Sequence, residues 1–186
     1  MFPTYFQLGF EHITDVNGYD HMLFLLALCA AYRYTEWSRI LVLVTAFTVG
    51  HSITLVLAAL GIIPINGDWV EFLIPVSIAA TAFKNLIVRE EKSAVFSYTL
   101  ALGFGLIHGM GFSNYLRSLL GDELLQPLFA FNIGLEVGQL LVVALIFLIQ
   151  FALIKSLRIK HNHWNVVVSL VAGSISVLLA AQRIPF

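Results

Sequence analysis

Apolar residues form long blocks along this chain, separated by short clusters of turn-forming and charged residues. Several blocks reach about 20 residues, the length a helix needs to cross a bilayer. The pattern predicts six spans, at about 19–34, 38–60, 69–88, 94–119, 124–154 and 164–182. Gly61, Pro64, Asn66 and Gly67 break the chain between the second and third, as turn residues do. Pro75 should kink the third, which membrane helices tolerate. The fifth is long, so it should tilt or extend into water. Ahead of the first span, residues 2–13 mix aromatics with Gln7, Glu11 and His12. Too short and too polar to cross, they read as an interfacial or re-entrant helix. The expectation is an all-α membrane protein, a polytopic bundle of about six transmembrane helices behind an N-terminal segment at 1–17. Residues 1–186 would form a single integral membrane domain.

Composition agrees with the pattern. The chain is 59% hydrophobic and 11% charged, with a mean hydropathy of +0.89. A soluble domain would carry about a quarter charged residues. The N-terminus lacks the basic region and small-residue cleavage site of a signal peptide, so no removed segment is expected. Cys29, the single cysteine, falls inside a span, so no disulfide framework arises. A net charge of −1 points to no nucleic-acid partner. The expected partner is the lipid bilayer, and self-association into a homo-oligomer is compatible with such a bundle.

The placement of charge says more than its sum. With six spans, the termini share one side. The other side holds Arg33, Arg39, Lys84, Arg89, Lys92, Lys155, Arg158 and Lys160, eight of the ten Lys and Arg, against Arg117 and Arg183. Cytoplasmic loops carry that excess, so both termini are expected on the periplasmic or extracellular face of a bacterial inner membrane. Glu11, Asp15, Asp20, Asp68, Glu71, Asp122 and Glu123 fall on the terminal side, against Glu36, Glu90 and Glu91 on the other. That suggests an outer mouth attractive to cations.

Three ionisable residues are left deep in the spans: His51, His108 and Glu136. At 1.5 Å per residue they lie roughly 14, 16 and 18 Å from the outer ends of their helices. The hydrocarbon core is about 30 Å thick, so all three sit near its middle. Intramembrane ionisable groups face the bundle interior and pair there. Small residues surround them, in "GFGLIHGMGF" around His108 and "FNIGLEVGQ" around Glu136. Such glycines suit either close helix packing or the broken helices of transporters. Ser52 adjoins His51, and Asn132 and Gln139 share a helix face with Glu136 by three-and-four spacing.

A second group stands at the expected outer surface, in "GFEHITDVNGYDHMLF": Glu11, His12, Asp15, Asp20 and His21. Imidazole with carboxylate suits divalent transition metals. This group is either a first binding site of its own or the source of His21 for the coordination sphere of His51 and His108. Bland readings stand beside these. A lone intramembrane histidine is more often a hydrogen-bonded packing residue than a ligand, and Asp20 could simply cap a helix. Lys84 and Asn85 would snorkel to the interface. His161 and His163 would belong to an exposed linker, and Trp69 and Trp164 would anchor at the interfaces.

The stretches "GFEHI", "GYDHMLFLLAL", "FTVGHSITL", "VEFLIPVSI", "GFGLIHGMGF" and "FNIGLEVGQ" together resemble the HupE/UreJ family of bacterial membrane proteins, in order from Gly9 to Gln139. The resemblance implies nickel or cobalt permeases that supply hydrogenases and ureases. Carried over by position, it implies functional roles for His12, Asp20, His21, His51, His108 and Glu136. The gap "ITDVNGY" between His12 and the Asp20–His21 pair is longer than the family pattern, which leaves open whether His12 shares a site with that pair.

Two functions follow as expectations. The first is transport or handling of a divalent transition metal, nickel, cobalt or zinc. Asp20 and His21, with or without His12, would take the ion from water. His51, His108 and Glu136 would hold it at midplane, with Ser52, Asn132 and Gln139 as supporting partners or weak ligands. The second is an intramembrane zinc-dependent hydrolase with Glu136 as general base. The chain carries no Walker-type phosphate loop.

Overall fold

A computed structural model describes residues 2–64, 66–88, 94–119 and 125–185. Arg89, Glu90, Glu91, Lys92, Asp122 and Glu123, which entered the charge reading, lie outside the described residues. The described residues form seven α-helices: α1 (Phe2–Thr14), α2 (Asp20–Ala30), α3 (Trp37–Ala59), α4 (Gly67–Ile87), α5 (Ala94–Leu119), α6 (Leu125–Ser156) and α7 (His161–Gln182). Short 3-10 turns precede α2 and α3, and no strand occurs among the described residues. Elements α3 to α7 are long and apolar enough to cross a membrane. The chain is an all-α, multi-pass membrane protein.

The helix ends follow their local sequences. Gly61, at φ 70°, takes the left-handed conformation that closes α3, a position glycine occupies without a Cβ penalty. Asn66 caps α4, its side-chain oxygen accepting from the Trp69 backbone N–H at 3.4 Å. Pro75 lies inside α4, which continues through it. The 32 residues of α6 run roughly 48 Å, longer than the hydrocarbon core.

The first expected span is where the structure departs from the pattern. Helix α2 has 11 residues, or roughly 17 Å, about half a crossing. The leading segment supplies the other half. Its 13-residue helix α1 packs along α6, with Gly9 against Phe131 and Leu135, Gly134 against Phe6 and Phe10, and Gly138 against Phe10 and Ile13. Residue numbers rise together, so α1 and α6 run parallel. Further along α6, Gln150 meets the end of α2: its Oε1 accepts from the Tyr34 N–H at 2.6 Å, and its Nε2 donates to the Tyr32 carbonyl at 2.9 Å. Helices α1 and α2 therefore descend one after the other beside α6. They form one discontinuous element, broken between Thr14 and Asp20. Such breaks near midplane are where transporters place binding sites.

A second parallel pair holds the other side. Gly50 lies against Leu102 and Leu106, Gly105 against Phe47 and His51, and Gly109 against His51 and Thr54. Glycine allows α3 and α5 to touch backbone to backbone. Helices α4 and α7 pack together and against α2. Asn85 does not snorkel: it is buried, and its Nδ2 donates to the Ala27 carbonyl at 2.7 Å and to Ser169 Oγ at 3.3 Å. Trp164, in the first turn of α7, is buried, whereas Trp69 is exposed. His161 is half-buried at the head of α7, not part of an open linker.

Gln150 is fully buried and bridges α6 to the α2 end. Gln150→Leu would leave a backbone donor and acceptor without those bonds, at about 1–3 kcal/mol for each orphaned group. Thermal unfolding in detergent should show a clearly lowered Tm. An unchanged Tm would mean that the two bonds contribute nothing.

Candidate metal centre

The break in the α1–α2 element positions the site. His12 is on the last turn of α1 and His21 on the first turn of α2, so the five-residue connection folds their rings together at 4.5 Å between centroids. His51 comes from the middle of α3, 5.9 Å from His12 and 6.2 Å from His21. One nitrogen from each of the three lies within 4.8 Å of the other two. His108, from α5, is 5.1 Å from His21. His21 thus neighbours all three other rings.

The depth agrees with the estimate from helical rise. Ser77 Oγ lies 3.3 Å from His108 Nε2. Ser77 is ten residues from each end of α4 (Gly67–Ile87), roughly 15 Å either way. The histidines are therefore level with the middle of α4, and so are His12 and His21, which the sequence reading put at the outer surface. The longer connection between His12 and the Asp20–His21 pair does not separate them; it forms the turn that brings them together.

The ring nitrogens are unusual in lacking partners. His21, His51 and His108 are 7%, 0% and 1% exposed. His12 Nε2, His21 Nε2, both nitrogens of His51 and His108 Nδ1 are buried with no hydrogen-bond partner. Buried polar atoms are normally bonded, and exceptions call for an explanation. Ser77 fixes one of them. Its hydroxyl donates to the Ile74 carbonyl at 2.7 Å, so its oxygen accepts from His108 Nε2–H. His108 Nδ1 is then left as the acceptor and has no hydrogen-bond partner. His108 itself lies outside the group of three close nitrogens, and the bond to Ser77 is the kind of outer hydrogen bond that orients a metal-ligating histidine. Phenylalanine rings wall the group: Phe112 is 4.1 Å from His12, Phe47 is 5.2 Å and Phe24 5.5 Å from His108, and Phe131 is 6.3 Å from His51.

A cavity of about 780 Å³ leads to this point from the side of the chain termini. His12, His21 and His108 line its floor, and Glu11, Asp15, Asp20 and Glu71 line its walls, with Arg183 as the one Lys or Arg among the lining residues. Arg183 Nη1 bonds Asp20 Oδ2 at 3.0 Å, while Asp20 Oδ1 is buried without a partner. Asp20 is thus at the cavity wall, held by an ion pair, and Glu71 joins the same wall.

The other sequence candidates are placed elsewhere. Glu136 Oε1 accepts from Thr45 Oγ1 at 2.7 Å and is outside the histidine group. Thr45 is six residues before His51, on a different face of α3 and more than a turn away. Gln139 is buried and takes a hydrogen bond from Thr48 at 2.8 Å. Ser52 donates to the Thr48 carbonyl at 2.6 Å. Asn132 Oδ1 is buried with no partner. Sequence reasoning missed Ser77 and the aromatic wall. The signal for Ser77 was available, because Ser77, Thr81 and Asn85 recur every fourth residue through an apolar span.

Glu136→Gln is expected to leave metal affinity at the histidines unchanged, since the amide oxygen can still accept from Thr45. Equilibrium dialysis checks this, and a large loss would put Glu136 back among the ligands.

A family profile described as HupE / UreJ protein matches residues 1–183 of the chain. No curated protein and no solved structure matches it.

Proposed function

The chain belongs to the HupE/UreJ family, and from that premise we propose that it moves a divalent transition-metal cation across the bacterial inner membrane, with nickel or cobalt as the leading substrates and both termini on the periplasmic face. The observation that supports this reading most is the convergence of His12, His21 and His51 from three helices, with unbonded nitrogens within 4.8 Å of one another. A metal bound by imidazole sits about 2.0–2.1 Å from each nitrogen. Tetrahedral ligands at that range are about 3.4 Å apart by simple geometry, so a small inward turn brings the three rings onto one ion, and a larger movement of His108 past His21 would add a fourth donor. The ion is the cargo. Carboxylates at the mouth raise its local concentration, and Asp20 beside His21 hands it to the nitrogens. Neutral imidazole in an aromatic-walled pocket selects borderline transition metals over magnesium and calcium, which prefer oxygen.

The hydrolase reading loses the base assigned to it, because Glu136 is bonded to Thr45 away from the histidines. The test is accumulation of nickel by vesicles carrying the chain, wild type beside His51→Ala and His108→Ala. The variants should insert and fail to accumulate. Normal accumulation in both would remove the proposal. Ligation requires deprotonated imidazole, so affinity should weaken as pH is lowered from 8 to 5. Titration calorimetry showing equal affinity throughout would argue against histidine ligation.

A further inference from the structure

We infer that the route from the histidines to the opposite face of the membrane runs along one face of α4, past Ser77, Thr81 and Asn85, and that the Phe24 ring closes it. The inference rests on the transport reading and adds a path and a barrier to it.

Ser77, Thr81 and Asn85 are four residues apart, so they form one row along α4. All three are buried, at 3%, 7% and 7% exposure. Polar groups at this depth are costly and mark pathways. The row begins at His108, which Ser77 touches. It ends at a second cavity of about 730 Å³ on the far side, lined by Asn85, Lys84, Tyr32 and the start of α7. Between them is a void of about 20 Å³, enough for one water molecule. Thr81, Ser97 and Phe24 line this void, and it shares Tyr32, Lys84 and Asn85 with the far cavity. Ser97 Oγ is buried there with no hydrogen-bond partner. A buried hydroxyl beside such a void is open to a water molecule or a passing ion.

Phe24 stands between the two compartments. Its ring is 5.5 Å from His108 on one side, lines the void on the other, and is held by Phe47 at 4.8 Å and Phe104 at 6.0 Å. The barrier is therefore one side chain thick. Thr81 donates its proton to the Ser77 carbonyl at 3.0 Å, which leaves its oxygen lone pairs to face a passing cation. Hydroxyl and amide oxygens hold a transition metal less tightly than imidazole, and conduction needs sites weak enough to leave. The far cavity carries Arg33, Lys84 and Lys160 and no carboxylate among the described residues that line it, so these residues do not hold a cation arriving there.

The test measures nickel binding and nickel uptake side by side. Thr81→Val removes the hydroxyl at nearly constant volume, and Ser97→Val removes the other hydroxyl and fills the void with one added carbon. Both should bind nickel as the wild type does, which also reports that they fold, while uptake into vesicles falls to background. Phe24→Ala should bind nickel and admit it faster than wild type. Wild-type uptake in Thr81→Val and Ser97→Val, or an unchanged rate in Phe24→Ala, would overturn the route while leaving the transport reading intact. A wild-type chain that binds nickel but never moves it would overturn both.

Discussion

Replacing His21 by alanine is expected to weaken metal binding by roughly 100-fold or more, since losing even an outer partner of a ligand costs about 10–100-fold. His21 has the most central position. Its ring neighbours those of His12, His51 and His108 at 4.5, 6.2 and 5.1 Å, and no other histidine among the described residues is paired with all three. It also begins α2 beside Asp20, where the acid-lined cavity meets the aromatic pocket. Removing it takes out one donor and separates the remaining three. His163→Ala, in the first turn of α7 and away from the site, supplies the comparison and should bind as wild type. Equilibrium dialysis with nickel reads both, and equal affinity in His21→Ala and wild type would take His21 out of the site.

The second large effect is structural. Gly134→Val should detach α1 from α6 and abolish metal binding with it. A Cβ at Gly134 would run into the Phe6 carbonyl and the Phe10 nitrogen, and backbone atoms cannot turn aside as a side-chain tip can. Overpacking usually costs about 1–3 kcal/mol; a clash between two helix backbones should exceed that. The loss would extend to function because α1 carries His12. Gly103→Ala is the fitting contrast, since nothing lies within 4 Å of the added carbon. The expected result is a monodisperse Gly103→Ala with wild-type Tm and an aggregated or strongly destabilised Gly134→Val. Equal stability of the two would show that the α1–α6 contact is not as close as described.

Much of this architecture is legible in the pattern of apolar blocks. The long helices fall close to their expected limits, and helical rise alone put His51 and His108 at one level. Depth, however, does not fix direction around a helix. Helical rise put Glu136 near the depth of His51, yet it meets Thr45, more than a turn along α3 from His51, instead of the histidines. The broken element was harder to see. Residues 2–13 look too polar to cross because Glu11 and His12 line a cavity, while Gly9 and Ile13 are buried against α6. A half-length helix beside a larger one buries only one side, so its sequence lacks a continuous apolar run. Asn85 was misplaced for a related reason. Closeness to a helix end suggests exposure, yet α2 and α7 cover that end and supply the Ala27 carbonyl and Ser169 hydroxyl as partners.

The claim underlying all of this is that imidazoles from different helices hold one cation at mid-membrane. X-ray absorption of the purified, nickel-loaded protein measures that shell directly. At least three imidazole nitrogens near 2.1 Å are expected, falling by one in His12→Ala and in His51→Ala. A shell of oxygen alone, or one unaltered by either substitution, would contradict the account.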